Sequence, residues 1–188
     1  MNNLIRERKG MLILSLLVIL LPLGVGLFLW NQLPDQVPIH FGLNGQADNY
    51  AGKAFVVFGL PLLMAALQVL LLVVTMADPK GKNIAAKPFG LLLWICPLVS
   101  LFCGTMTYAK ALALPVDINL VGGLFLGLMF LVVGNYLPKC KQTYTVGIRL
   151  PWTLADEDNW AYTHRLAGKV WTIGGLVILA LTFLRLPV

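Results

Sequence analysis

Charge is scarce in this chain, and its absence is patterned. Only 12% of the 188 residues are Asp, Glu, Lys or Arg, about half the share of a soluble domain. No Asp, Glu, Lys, Arg or His falls in the middle of any long apolar run. Proton and ion pathways normally need such groups near the bilayer midplane, so a channel or pump gains no support. Cysteine is sparse too. Cys96 and Cys103 share one apolar run and Cys140 stands alone, which matches neither a disulfide framework nor a metal-ligand spacing. His40 and His164 fall on opposite membrane faces in the topology derived below, so they cannot share a metal. The two halves show no internal repeat, which argues against an inverted-repeat transporter. No cofactor motif is present, and none is expected to bind.

What the chain has is apolar length. Hydrophobic residues make up 59% of it, gathered in runs rather than in periodic stripes, which is the mark of a membrane protein. Five runs stand out: Met11 to Trp30, Ala54 to Ala77, Phe89 to Tyr108, Leu120 to Leu137 and Val170 to Leu184. Each of the first four reaches about 30 Å as a helix, or close to it, enough for the hydrocarbon core. The fifth is the shortest. It spans only if Leu166 to Lys169 join the helix, with Lys169 snorkelling to the interface. The first run follows Arg6, Arg8 and Lys9 like a signal peptide. It is too long for one, however, and ends in Trp30-Asn31-Gln32-Leu33-Pro34 rather than in small residues.

The net charge of +6 sets orientation rather than marking a nucleic-acid binder. With the N-terminus inside, the inner segments 1–10, 78–88 and 138–169 hold Arg6, Arg8, Lys9, Lys80, Lys82, Lys87, Lys139, Lys141, Arg149, Arg165 and Lys169. The outer segments hold Lys53, Lys110 and Arg185. That bias follows the positive-inside rule. Trp30 and Tyr108 mark the outer rim and Tyr136 the inner one. The expected architecture is an all-α integral membrane protein with five transmembrane helices, N-inside and C-outside. Residues 1–77 would form the first two spans with an extracellular loop at 31–53. Residues 78–188 would form spans three to five with a cytoplasmic loop at 138–165.

Within the spans, Gln68 reads as an interhelical hydrogen bond. Gly123, Gly127 and Gly134 share one helix face and permit close approach, either inside the chain or to a second copy as a homodimer. In the outer loop, Pro34 and Pro38 favour extended backbone, Val37-Pro38-Ile39-His40-Phe41 reads as a short strand, and Asn44-Gly45 as a turn. His40, Phe41 and Asp48 are candidates for meeting an outside ligand, with a structural cap as the alternative. In the inner loop Pro138 ends the fourth helix, Gly147 marks a turn or close approach, and Pro151 holds Leu150 extended. Thr153 with Asp156 resembles a capping box. A helix from about Leu154 would be amphipathic, lining up Trp160, His164, Ala167 and Trp171 before entering the fifth span.

The stretch Gly134-Asn135-Tyr136-Leu137-Pro138-Lys139, continuing through Val146-Gly147-Ile148-Arg149-Leu150-Pro151-Trp152-Thr153 to Trp160-Ala161-Tyr162-Thr163-His164-Arg165, closely resembles the C-terminal signature of the SdpI family of bacterial membrane proteins. The outer loop, Leu33 to Lys53, is similar to a domain of unknown function that often precedes that signature. The resemblance implies a multi-pass protein of the bacterial plasma membrane that is not an enzyme. It implies immunity against an extracellular peptide toxin, with signalling by holding a cognate helix-turn-helix autorepressor at the cytoplasmic face. Lys139, Gly147, Arg149, Pro151, Trp152, Thr153, Trp160, Thr163, His164 and Arg165 would then form the docking surface. The expected partners are the toxin, the repressor and membrane lipids, with no direct contact to nucleic acid. Two alternatives stay open: a small-molecule or peptide transporter or exporter, and a membrane enzyme at the inner face pairing His164 with Glu157 or Asp158.

Reporter fusions after Lys53, Lys87, Asp117, Leu154 and Val188 are expected to alternate, beginning with an outside readout at Lys53 and ending outside at Val188. A cytoplasmic readout at Val188 would remove one of the five crossings.

Overall fold

The computed structural model describes residues 6–42 and 44–184; Arg185, counted above among the outer cations, lies outside them. Among the described residues, five helices are long and apolar enough to cross a membrane: Lys9–Phe28, Phe55–Met76, Ala86–Ala111, Ile118–Lys139 and Glu157–Phe183. They coincide with the five apolar runs. We label the regular helices α1 (Lys9–Phe28), α2 (Leu60–Met76, preceded by a π-helical turn at Phe55–Gly59), α3 (Ala86–Ala111) and α4 (Ile118–Tyr136). A short α5 (Pro151–Ala155) and a long α6 (Glu157–Phe183) follow. By contacts the chain divides into two compact units. One comprises Lys9–Val69 with Leu93–Gly122; the other holds Leu70–Leu92 and the chain from Gly123 onward.

In the first unit the loop after α1 is a β-hairpin. Strand β1 (Gln36–Phe41) pairs antiparallel with β2 (Ala47–Gly52), with irregular register around His40. The turn forms where Asn44-Gly45 suggested: Gly45 has φ +71°, and the Asn44 side chain accepts from the Gln46 N–H at 3.0 Å. Val37 faces inward and joins Leu33, Val56, Val57 and Tyr108 in a small apolar core.

Helix α1 contains Pro22 and α3 contains Pro97. A proline inside a helix withholds its hydrogen bond from the carbonyl four residues back. At Pro97 a side chain serves the freed carbonyl, while near Pro22 side chains reach neighbouring carbonyls. The Gln68 amide donates to the carbonyl of Leu93 at 3.3 Å, four residues before Pro97, so the interhelical reading of Gln68 holds. Ser100 donates to Ile19 O and Tyr108 to Pro22 O, each at 2.9 Å. Ser100, Gly104 and Tyr108 recur every four residues on one stripe of α3. Gly104 sits between the two hydroxyls, where an added Cβ would lie 2.7 Å from Pro22 Cβ.

In the second unit the glycines of α4 meet α6. A Cβ at Gly127 would lie 2.7 Å from Leu179 and 3.1 Å from the Gly175 carbonyl; one at Gly134 would lie 2.9 Å from the Gly168 carbonyl. Gly168 and Gly175 answer from α6, each within 2.8 Å of an α4 carbonyl by the same construction. Phe130 stacks on Trp171 at 4.6 Å between ring centres. The glycine face is thus filled from within the chain.

The fifth span differs from expectation in its start. It is one helix of 27 residues, about 40 Å long, and Leu166 to Lys169 join it as spanning required. The helix expected from Leu154 is instead broken in two. Pro151 suits the first turn of a helix because its missing N–H would be unsatisfied there anyway, so α5 starts at Pro151. Asp156, at φ −140°, interrupts the chain and caps α6 by accepting from the Asn159 N–H at 2.7 Å. Thr153 is therefore not the cap. It lies inside α5, where its hydroxyl accepts from Leu150 N at 2.9 Å and donates to the Ile148 carbonyl at 2.8 Å.

Gly127→Leu and Gly134→Leu should each destabilise the purified protein by about 1–3 kcal/mol or more, because the new side chain meets backbone, at Gly127 together with the Leu179 side chain. Gly122→Leu, where a Cβ would meet nothing within 4 Å, should melt like the unmodified protein in the same detergent.

Candidate functional site

Two chain segments are built beyond what connection requires: the hairpin, and the loop from Pro138 to Asp156 that wraps the start of α6. In the hairpin, His40 Nδ1 and Asp48 Oδ1 lie 2.5 Å apart with both side chains largely exposed. The pair clamps the two strands across the irregular register and leaves its outer edges free. Phe41 is partly buried beside it. Lys53 points elsewhere. Its ammonium sits 5.0 Å from the centre of the Trp30 ring and 3.4 Å from both Leu33 O and Asp35 Oδ1.

The second loop is organised around two rings. Trp160 is 2% exposed and His164 1% exposed, and they stack at 4.1 Å, one helical turn apart. The Trp160 indole N–H donates to Cys140 O at 2.8 Å. His164 Nε2 lies 2.9 Å from the Ile148 N–H and Nδ1 lies 2.8 Å from Trp160 O. A backbone N–H can only donate and a carbonyl can only accept, so the imidazole is neutral with its proton on Nδ1. Both nitrogens are consumed by backbone, which leaves His164 no capacity for acid–base work with Glu157 or Asp158. Gly147, at φ +125°, passes directly over the rings; a Cβ there would lie 2.5 Å from His164 Nε2 and 2.7 Å from Trp160. Only glycine fits, for conformation and for space alike. Cys140 is partly buried, and that burial pushes its thiol above the usual range, away from nucleophilic use. Among the described residues, no three His, Cys, Asp or Glu could jointly hold a metal ion.

The ten residues expected to form one docking surface are therefore split. Thr153, Trp160 and His164 are buried, and Gly147 lies against the rings. These four hold the loop's shape and do not present side chains outward. Periodicity had placed Trp160 and His164 on one face correctly, but that face is covered by the protein's own loop. Arg149, Pro151, Trp152 and Arg165 are exposed, Trp152 at 55%. The Arg149 guanidinium donates to Tyr144 O at 3.0 Å. Lys139 reaches Asn135 Oδ1 at 3.2 Å and lies over the Tyr136 ring at 4.9 Å, while the Thr163 hydroxyl donates to Asn159 Oδ1 at 3.3 Å.

Sequence reasoning missed a second set of residues that the structure brings to the loop. Asp78, just past α2, is 8% exposed. Its Oδ2 accepts from Tyr144 N at 2.9 Å and from Thr145 Oγ1 at 2.6 Å, and its Oδ1 from Lys80 N at 2.8 Å. Gln142 is the other hub. Its carbonyl side-chain oxygen accepts from the Lys80 ammonium, its backbone carbonyl accepts from Asn83 at 2.9 Å, and its amide donates to Thr153 O and Leu154 O at 2.9 and 3.0 Å. One signal was available: Asp78 is the single acid in an otherwise basic segment, 78–88.

A loop folded this closely against the foot of a span defines a multi-pass membrane protein with a built signature motif, not a chain of bare connectors. The SdpI/YfhL protein family matches residues 139–188, and DUF1648, a domain of unknown function, matches residues 17–65, which include the hairpin. The immunity protein SdpI of Bacillus subtilis (strain 168) is 27% identical over 175 residues, covering 91% of this chain and 81% of that relative. The chain is thus a multi-pass bacterial membrane protein that is similar in sequence to SdpI over most of its length, as the resemblance in its two loops implied. No solved structure matches it.

His164→Phe keeps the stack but removes the acceptor for Ile148 N–H. It should cost about 1–3 kcal/mol, the penalty for a buried donor left unpaired. Gly147→Ala should cost at least as much. Limited proteolysis between Cys140 and Asp156 will read both, and resistance equal to the unmodified protein in Gly147→Ala would contradict the packing described.

Proposed function

We propose that this protein protects its cell against an extracellular peptide toxin and relays detection by holding a helix-turn-helix repressor at the inner membrane face. The likeness to the immunity protein SdpI over 91% of the chain is the observation that carries this reading. The charge bias of the loops supports an inside N-terminus. By parity, the hairpin then faces outward and the signature loop inward, each on the side where its partner is found. The hairpin offers His40, Phe41 and Asp48 on a frame stiffened by Pro34 and Pro38. The signature loop offers Arg149, Trp152 and Arg165 on a frame held by Trp160, His164 and Thr153. Arginine pairs with a carboxylate in a planar, bidentate way that lysine cannot copy, and a rigid exposed indole is a common interface anchor.

Two sets of variants test this in protein that reaches the membrane normally. His40→Ala and Asp48→Ala should lower survival in the presence of toxin-producing cells. Arg149→Lys and Trp152→Ala should reduce membrane localisation of a repressor encoded beside the gene, seen as a fluorescent fusion. Undiminished survival in the first pair would leave the hairpin as a structural cap. Full recruitment by Arg149→Lys would leave that arginine as a topology anchor, a task either cation performs.

A further inference from the structure

We propose that Asp78 is the positioning residue for the signature loop, a latch at the foot of the second span that sets where Arg149 stands. The role of the loop as a docking surface rests on the function proposed above; the latch itself does not.

The argument starts from what Asp78 is attached to. Helix α2 ends at Met76, and the backbone of Ala77 still bonds back to Val73 at 3.0 Å, so Asp78 stands within two residues of a rigid helix. Its own orientation is fixed by the Lys80 N–H on Oδ1. The other oxygen is then committed to the backbone of Tyr144 and the hydroxyl of Thr145. Both backbone groups of Tyr144 are held. Its N–H is given to Asp78, and its carbonyl accepts the Arg149 guanidinium at 3.0 Å. The carboxylate therefore governs the turn on which Arg149 rests, although it does not touch Arg149.

Charge makes the latch specific. Tyr144 and Thr145 both donate to Asp78 Oδ2, and hydrogen bonds to an ionised oxygen are roughly twice as strong as neutral ones. An asparagine could offer one carbonyl oxygen to one partner set, but its amide nitrogen would face N–H donors it cannot accept. Gln142 ties the same segment to Lys80, Asn83 and α5. Loss of Asp78 should thus loosen the turn at 143–149 without releasing the whole loop. The rings of Trp160 and His164 continue to hold Cys140 and Ile148 from the other side.

The test is hydrogen exchange by mass spectrometry on the full chain in lipid nanodiscs. In Asp78→Asn, peptides covering 143–149 should exchange about 10-fold faster or more, the range for losing charged hydrogen bonds. Peptides from the hairpin strands 36–52 should be unchanged. Thr145→Val should show a smaller rise in the same peptides, and Thr145→Ser, which keeps the hydroxyl, should restore protection. A global rise, hairpin included, would mean that Asp78 serves overall stability and would overturn the proposal. Unchanged exchange at 143–149 in Asp78→Asn would overturn it as well. The same variants scored for repressor recruitment separate the two ideas. A loosened turn with full recruitment keeps the latch and counts against the docking reading.

Discussion

A carbonyl or N–H that loses its partner inside a bilayer has no water to turn to, and each such group costs several kcal/mol. Much of this structure answers that constraint. Pro97 deprives Leu93 O of its helical donor, and Gln68 supplies another. Around Pro22, Ser100 and Tyr108 approach from a neighbouring helix. Gln68 thus replaces the bond that a proline withholds, while Ser100 and Tyr108 bind carbonyls beside another proline, and in both places two helices touch. Gly104 makes that approach close enough for both hydroxyls to reach. At the foot of the helices, Trp160, His164, Asp78 and Gln142 likewise give most of their hydrogen bonds to backbone groups.

Two of the helix contacts described above are made of different chemistry. Between α1 and α3, a stripe of Ser100, Gly104 and Tyr108 offers hydroxyls to carbonyls. Between α4 and α6, glycines remove side chains so that backbones meet directly. Apolar association offers little drive between helices in lipid, where tails are as apolar as leucine. Close packing and hydrogen bonds must supply the difference, and each contact relies mainly on one of the two.

The spans were legible because apolar run length is a one-dimensional property. The hairpin was half legible: Pro38 and Asn44-Gly45 announced β1 and the turn, while β2, with the polar sequence Ala47-Asp48-Asn49-Tyr50, carried no strand signal of its own. The helix break at Asp156 was hidden because Thr153 and Asp156 both look like caps, and only the start imposed by Pro151 decides between them. For Trp160 and His164, helical spacing showed that they share a face but not what covers it. That depends on Gly147, whose partners lie 13 and 17 residues further along. Asp78 was the least legible, since its partners in the signature loop are 66 and 67 residues away and no local pattern links them.

That separation has a consequence for the order in which the protein is made. At a synthesis rate of roughly 5–20 residues per second, the 66 residues between Asp78 and Tyr144 take about 3–13 s to appear. Throughout that interval the carboxylate has its Lys80 N–H but neither loop donor. When Tyr144 and Thr145 do emerge, the rings that hold the other side of the turn are still unmade, because Trp160 and His164 follow them in the chain. The foot of the second span is thus a template completed early, and the signature loop a late arrival that closes only once the first turns of the last helix exist.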